Sequence, residues 1–252
     1  LMHDDIMDKA PLRRGNETVH EKWNDNIAIL SGDVMLVNAY QYLNKVQGLS
    51  LEAFQHLLGR LSRIAAEVCE GQQFDMNFES RDDVKVEEYI EMIRLKTSVL
   101  IGFSMEMGGL LASVPASVSD SLYRIGETIG LGFQLKDDLL DVYGDPEKFG
   151  KQPGGDILAN KKTYLLIKAF EKATGSTLAS LENWVAATDY VAAEKVQAVT
   201  AIYDSLGLKA ETEAVIASYF DSAFEEIQAL AISDEQKSAL VKFMSGLVDR
   251  EV

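Results

Sequence analysis

Apolar residues recur along this chain at helical rather than alternating spacing almost from end to end. Stretches such as NIAILSGDVMLVNAYQYLNKV, LEAFQHLLGRLSRIAAEVCEGQQF, VEEYIEMIRLKTSVLIGFSMEMGGLLA and VSDSLYRIGETIGLGFQLKDDLLDVY sustain that spacing for several turns, so side chains three and four apart line one face. An all-α fold is predicted. Of four prolines, Pro146 and Pro153 both fall in GDPEKFGKQPGGD, the most breaker-rich segment, which reads as a loop. Beyond Asn160 the helical stretches KKTYLLIKAFEKA, ENWVAATDYVAAEKVQAVTAIYDSLG, KAETEAVIASYFDSAFEEIQAL and DEQKSALVKFMSGLVD are shorter, rich in alanine and acidic on the polar face, as packing helices are. No internal repeat or low-complexity linker divides the 252 residues, which predicts one domain over 1–252. The opening LMHDDIMD reads as the last turns of an apolar helix with no cap ahead of it, so further helices are expected before Leu1.

Two features interrupt this pattern. Gly102, Gly108, Gly130 and Gly132 sit inside predicted helices, where each costs about 0.5 to 1 kcal/mol relative to alanine. They serve either close helix packing or room for an elongated ligand. The second feature is acidic. On a helix, Asp4 and Asp8 lie one turn apart on one face with Asp5 beside them, and Asp137, Asp138 and Asp141 repeat the device with Gln134 on the same stripe. Aspartate is a poor helix former, and like charges four apart cost roughly 0.2 to 0.5 kcal/mol, so a D-D-x-x-D helix calls for a cation. Asp82 and Asp83 are a useful control. They have no third aspartate and precede an apolar helix, so they read as its N-terminal cap.

Composition narrows the chemistry. Forty acidic against 24 basic residues leave a net charge of -16, which disfavours nucleic acid and anionic lipid. A single cysteine excludes an intrachain disulfide and a thiolate cluster, which fits a reducing cytoplasm. Charge interrupts every apolar stretch, so no integral membrane segment is predicted. Carboxylates without clustered His or Cys select a hard ion, Mg²⁺ above Ca²⁺. Neither motif has the glycine turn and closing glutamate of an EF-hand, and the one Glu-x-x-His pair, Glu17 to His20, is too few for a di-iron bundle. In so acidic a chain, Arg13, Arg14, Lys96, Lys136, Lys151, Lys161 and Lys162 all fall in or near the motif-bearing segments. Arginine grips phosphate oxygens bidentately and lysine adds compact charge, so Mg²⁺-binding carboxylates with these cations describe a diphosphate site.

The segments DDIMD with LRRG, GQQFD, LKTSVL, GFQLKDDLLD and FGK with GGD and NKKTY, in this order and spacing, resemble the trans-isoprenyl diphosphate synthase family, the polyprenyl synthetases, over essentially the whole chain. The resemblance implies the isoprenoid synthase fold, a single-domain bundle of long antiparallel helices around a central cavity, with two aspartate-rich helices facing each other. It implies three Mg²⁺ ions with the bound diphosphate. Asp4, Asp8 and Asp137 would ligate them, while Asp5, Asp138 and Asp141 hold waters and geometry. Arg13, Lys96, Lys151 and Lys161 match grips on an allylic diphosphate, Arg14 a contact to isopentenyl diphosphate, and Gln72 and Asp75 an accessory pair. Thr97 and Gln134 would supply dipoles to an allylic cation, and Phe133 an apolar wall. The implied reaction is head-to-tail trans condensation of an allylic diphosphate with isopentenyl diphosphate to a product of C15 to C20, by a homodimer. A class I terpene cyclase, a squalene synthase-like enzyme and a non-catalytic partner subunit are the alternatives. The family's upstream G-K-x-x-R segment and its chain-length positions fall before Leu1.

Overall fold

The computed structural model describes residues 1–145 and 154–248. Among the described residues the fold is all-α apart from one hairpin of two residues per strand, and the chain divides into two compact units, Leu1–Arg63 and Ile64–Val252.

In the first unit, α1 (Met2–Met7) is followed by β1 (Leu12–Arg13) and β2 (Asn16–Glu17), paired antiparallel with Leu12 opposite Glu17 and Arg13 opposite Asn16. The helical reading missed this hairpin. Arg14 and Gly15 both take positive φ, 52° and 74°, the signature of a two-residue type I′ turn, whose twist matches that of the paired strands. Then come α2 (Val19–Lys22) and α3 (Asp25–Leu43). The Asn24 side chain accepts from the Ile27 amide and starts α3. α1 packs on α3 where Gly32 makes space, a Cβ there lying 2.5 Å from the His3 ring. His3 Nε2 bonds the Ile29 carbonyl at 2.9 Å. Much of α3 stays uncovered: Leu30, Val34, Met35, Leu36, Val37 and Tyr42 are all at least half exposed.

α4 (Leu51–Phe78) starts in the first unit and ends in the second. The second unit continues with α5 (Val86–Ile93), a π-helical turn (Arg94–Ser98), α6 (Val99–Leu111) and α7 (Ala116–Tyr143). Among the described residues six more helices follow: α8 (Gly155–Leu158), α9 (Tyr164–Lys172), α10 (Gly175–Ala186), α11 (Ala192–Ser205), α12 (Leu208–Ala229) and, last, α13 (Asp234–Val248). Its core gathers around α7, whose Ile125, Ile129 and Leu135 are fully buried together with Leu165, Leu208 and Ile227 from α9 and α12. Burying side chains of this size stabilises by about 1.5 to 3 kcal/mol each.

Two local expectations change. The stretch from Glu182 to Gly207 is not one helix: it breaks between Ala186 and Ala192. There Ala187 and Val191 are extended, and Tyr190 turns its ring under the Lys195 ammonium, 4.4 Å away. Asp82 and Asp83 do not cap α5 either. Lys85 occupies that position and its amide is met by Glu88, three residues on, while Asp83 pairs with Arg81 at 2.8 Å. Gly102 resolves toward packing, a Cβ there lying 2.8 Å from the Tyr123 carbonyl, and Gly132 does so against Phe220; Gly108 faces open space. No described helix is long and apolar enough to cross a membrane.

Candidate active site

Close backbone approach builds the site of the second unit. A Cβ on Gly71 of α4 would lie 2.3 Å from the Lys96 amide nitrogen, and one on Gly130 of α7 would lie 2.6 Å from Ser98 Cα. Only glycine lets both helices approach the turn Arg94–Ser98 so nearly. That turn is π-helical, a wound-out geometry that recurs at functional sites because it redirects side chains. It delivers Lys96 to Asp75 at 2.7 Å, and it turns the Thr97 hydroxyl to donate to Gln134 Oε1 at 3.0 Å.

Gln134 passes the connection on: its amide donates to Asp138 Oδ1 at 2.9 Å, and the buried Tyr89 hydroxyl donates to Asp138 Oδ2 at 2.7 Å. Burial pushes the Asp138 carboxyl up to about 6, and the charge of Asp137 adds to this, against the lowering effect of the two hydrogen bonds and of Lys161. The same burial raises the Tyr89 phenol well above its usual range, helped by Asp138. Asp141 meets the start of α8: its Oδ2 accepts the Asp156 amide at 2.9 Å, and its carbonyl accepts the Gly154 amide at 2.6 Å. Asp156 thereby joins the acidic group. Its carboxyl is held well above the ordinary range, first by burial and then by the charges of Asp138 and Asp141, with Lys161 Nζ 3.9 Å away pulling it down. At the end of α4, Gln72 keeps a buried amide nitrogen that has no partner among the described residues, a donor suited to an oxygen-rich ligand.

Other expected residues are placed differently. Lys136 donates to the Val248 carbonyl at the end of α13, and Lys162 sits 3.6 Å from Asp82. Phe133 and Asp137 border a small crevice beside Leu140 and Leu247. Lys151 lies outside the described residues. In the first unit Asp5 is buried, Asp4 half-buried and Asp8 exposed at the end of α1. Arg13 spans the first two, with Nε 2.6 Å from Asp5 and Nη2 3.2 Å from Asp4. Arg14 is exposed at the hairpin apex.

Tyr89 and Asp156 went unread in the sequence. Tyr89 has the spacing of a core aromatic, and its hydroxyl's partner lies 49 positions away; Asp156 follows two glycines in a segment that reads as loop. Both acidic groups offer oxygen donors only, the set that a hard divalent cation takes. Among the described residues no three Asp, Glu, His or Cys side chains are arranged to hold an ion by themselves. Mg²⁺ does not require that, since it keeps several waters and needs one or two carboxylates plus phosphate oxygens.

The description polyprenyl synthetase matches residues 1–204. A geranylgeranyl diphosphate synthase of Methanosarcina mazei is 41% identical over 192 residues, which cover 74% of this chain and 59% of that protein. The chain thus spans well under two thirds of that relative's length. A solved geranylgeranyl pyrophosphate synthase superposes over 100% of this chain and 77% of its own, with a TM-score of 0.91 and 44% identity. A geranylgeranyl pyrophosphate synthase from Corynebacterium glutamicum, solved with isoprenyl diphosphate and magnesium, superposes over 99% of this chain and 74% of its own, with a TM-score of 0.88 and 30% identity.

Proposed function

Because the chain belongs to the polyprenyl synthetase family, we propose that it is a trans-prenyltransferase, joining isopentenyl diphosphate head to tail to an allylic diphosphate and releasing a polyprenyl diphosphate of about C20 with pyrophosphate. The observation that carries this reading is the acidic group where α7 meets α8, in which Asp138, held by Tyr89 and Gln134, lies with Asp156 beside Lys161 and the Thr97–Gln134 pair. The C20 length is supported by the names of the relatives.

Asp4 and Asp8 in the first unit and Asp137 in the second are the residues that would hold Mg²⁺, with Asp5, Asp138 and Asp141 keeping the geometry around them. When bound, the ions neutralise charge on the diphosphate leaving group. Lys96 and Lys161 bind the allylic diphosphate as point charges, and Lys151 and Arg13 are assigned to the same group; Arg14 is assigned to isopentenyl diphosphate. Heterolysis of the allylic C–O bond sends the electron pair to the diphosphate and leaves an allylic cation. Thr97 and Gln134 face that cation with oxygen lone pairs that stabilise it without bonding to it. Phe133 keeps water from it. The double bond of isopentenyl diphosphate then forms the new C–C bond, and the adjacent carbon loses a proton to the departed diphosphate.

Two copies of the chain associating through the exposed apolar residues of α3 complete the reading, and the single cysteine supports a cytoplasmic setting. The test is incubation with Mg²⁺, isopentenyl diphosphate and each allylic primer in turn, followed by chromatography of the dephosphorylated products. An elongated prenyl alcohol of about C20 is the expected result. Cyclised or head-to-head products, or none with any primer, defeat it.

A further inference from the structure

Outside the diphosphate-binding groups, the most tightly built polar feature of the molecule is the chain of hydrogen bonds that starts at Tyr89. Its phenol is 1% exposed, packed at 6.5 Å from the Tyr164 ring, and comes from α5, whereas the carboxylate that it meets is on α7. A carboxylate can only accept hydrogen bonds. With Tyr89 donating to Oδ2 and Gln134 to Oδ1, both oxygens of Asp138 are engaged, and the Gln134 group facing it has to be the NH₂. The Gln134 carbonyl is therefore turned away, toward Thr97, whose hydroxyl donates to it. A flipped amide would set the Gln134 oxygen against an Asp138 oxygen and turn the Thr97 hydroxyl from donor to acceptor. The direction of every dipole from Tyr89 to Thr97 follows from one anchored carboxylate.

We propose that Tyr89 is a positioning residue for the reaction, fixing the Asp138 carboxylate so that the Gln134 and Thr97 oxygens are held in one orientation toward the reacting carbon. The proposal rests on the prenyltransferase reading above. Tyr89 touches no substrate; it acts through Asp138. A fixed dipole costs no reorganisation at the moment charge develops, whereas an amide free to rotate has to be ordered at each turnover.

The variant is Tyr89→Phe, which keeps the ring against Tyr164 and deletes the donor. Expected is a fall in kcat of about tenfold or more, in line with the loss of one hydrogen bond to a charged group, with KM for both diphosphates within about threefold of the parent. More of the allylic diphosphate should also end as the hydrolysed alcohol instead of condensed product. In the Asp138→Asn background the same change should cost little further, because the anchor is already gone. Unchanged kcat with a lowered melting temperature, a rise in KM alone, or losses that simply add would each overturn the proposal. Should Tyr89→Phe fail to fold, Asp138→Asn alone decides. A raised alcohol fraction among its products supports anchoring, and an unchanged fraction overturns it. An inactive parent protein overturns the prenyltransferase reading and this proposal together; an active parent with an unaffected Tyr89→Phe overturns the proposal alone.

Discussion

The two D-D-x-x-D segments are near copies in sequence and opposites in their surroundings. In the first unit the chain supplies its own counter-charge, Arg13 reaching Asp5 at 2.6 Å and Asp4 at 3.2 Å from a hairpin only a few residues on. In the second unit Asp138 and Asp156 lie with Asp137 and Asp141, and burial and mutual repulsion raise both carboxyls against the lowering effect of Lys161. One segment is balanced by a local ion pair. The other has carboxyls raised by burial and by their mutual repulsion, a strain that an arriving cation would relieve.

The sharpest way to break the comparison is to remove a carboxylate from each side. Asp137→Ala and Asp4→Ala should each lower turnover by about a hundredfold to a thousandfold, the scale for losing a group that stabilises developing charge, with helical circular dichroism retained. Near-normal steady-state turnover in either variant would remove that segment from the site. Gly71→Ala comes next. Its Cβ would strike the backbone of the π-helical turn, which cannot yield as a flexible side chain can. Displacing Lys96 and Thr97 by about 1 Å should cost up to about a hundredfold in turnover, together with a lower urea midpoint; an unchanged midpoint and rate would show that the turn is not wedged there.

Arg13→Gln tests the balanced side. It strands Asp5, which is 4% exposed, and should lower stability by about 2 kcal/mol, read from denaturant unfolding. The corresponding loss from Lys161→Gln should be smaller, since that ammonium stands 3.9 Å from its carboxylate. The smallest effect concerns pH without divalent ions. The Asp138 carboxyl is raised from 3.8 to about 6, so between those values the native state binds more protons than the unfolded one. Stability should therefore fall as pH rises through that window, and Asp138→Asn should flatten the dependence in a series of thermal melts.

Helical spacing made the fold class legible, because amphipathic periodicity is a property of neighbours along the chain. The acidic motifs were legible for the same reason, three residues within five positions needing no tertiary knowledge to share a face. The hairpin at Arg14–Gly15 was missed because two residues per strand leave no alternation to read, and of the turn pair only Gly15 is a residue type that favours positive φ. Asp82 and Asp83 misled as caps because Arg81, their immediate neighbour, drew Asp83 away and Glu88 closed the helix start instead.

Residue types and their local spacing, then, determined that this chain is helical and that it carries two carboxylate-rich faces, for which oxygen-binding cations and diphosphate were the expected chemistry. Which carboxylate is anchored, which way the Gln134 amide points, and that a tyrosine 49 positions before Asp138 holds it were decided only when separate helices packed. The reason is physical: a hydrogen bond's direction and a carboxylate's desolvation depend on what surrounds it in space, and for Asp138 that surrounding is drawn from α5 and the π-helical turn as well as from its own helix.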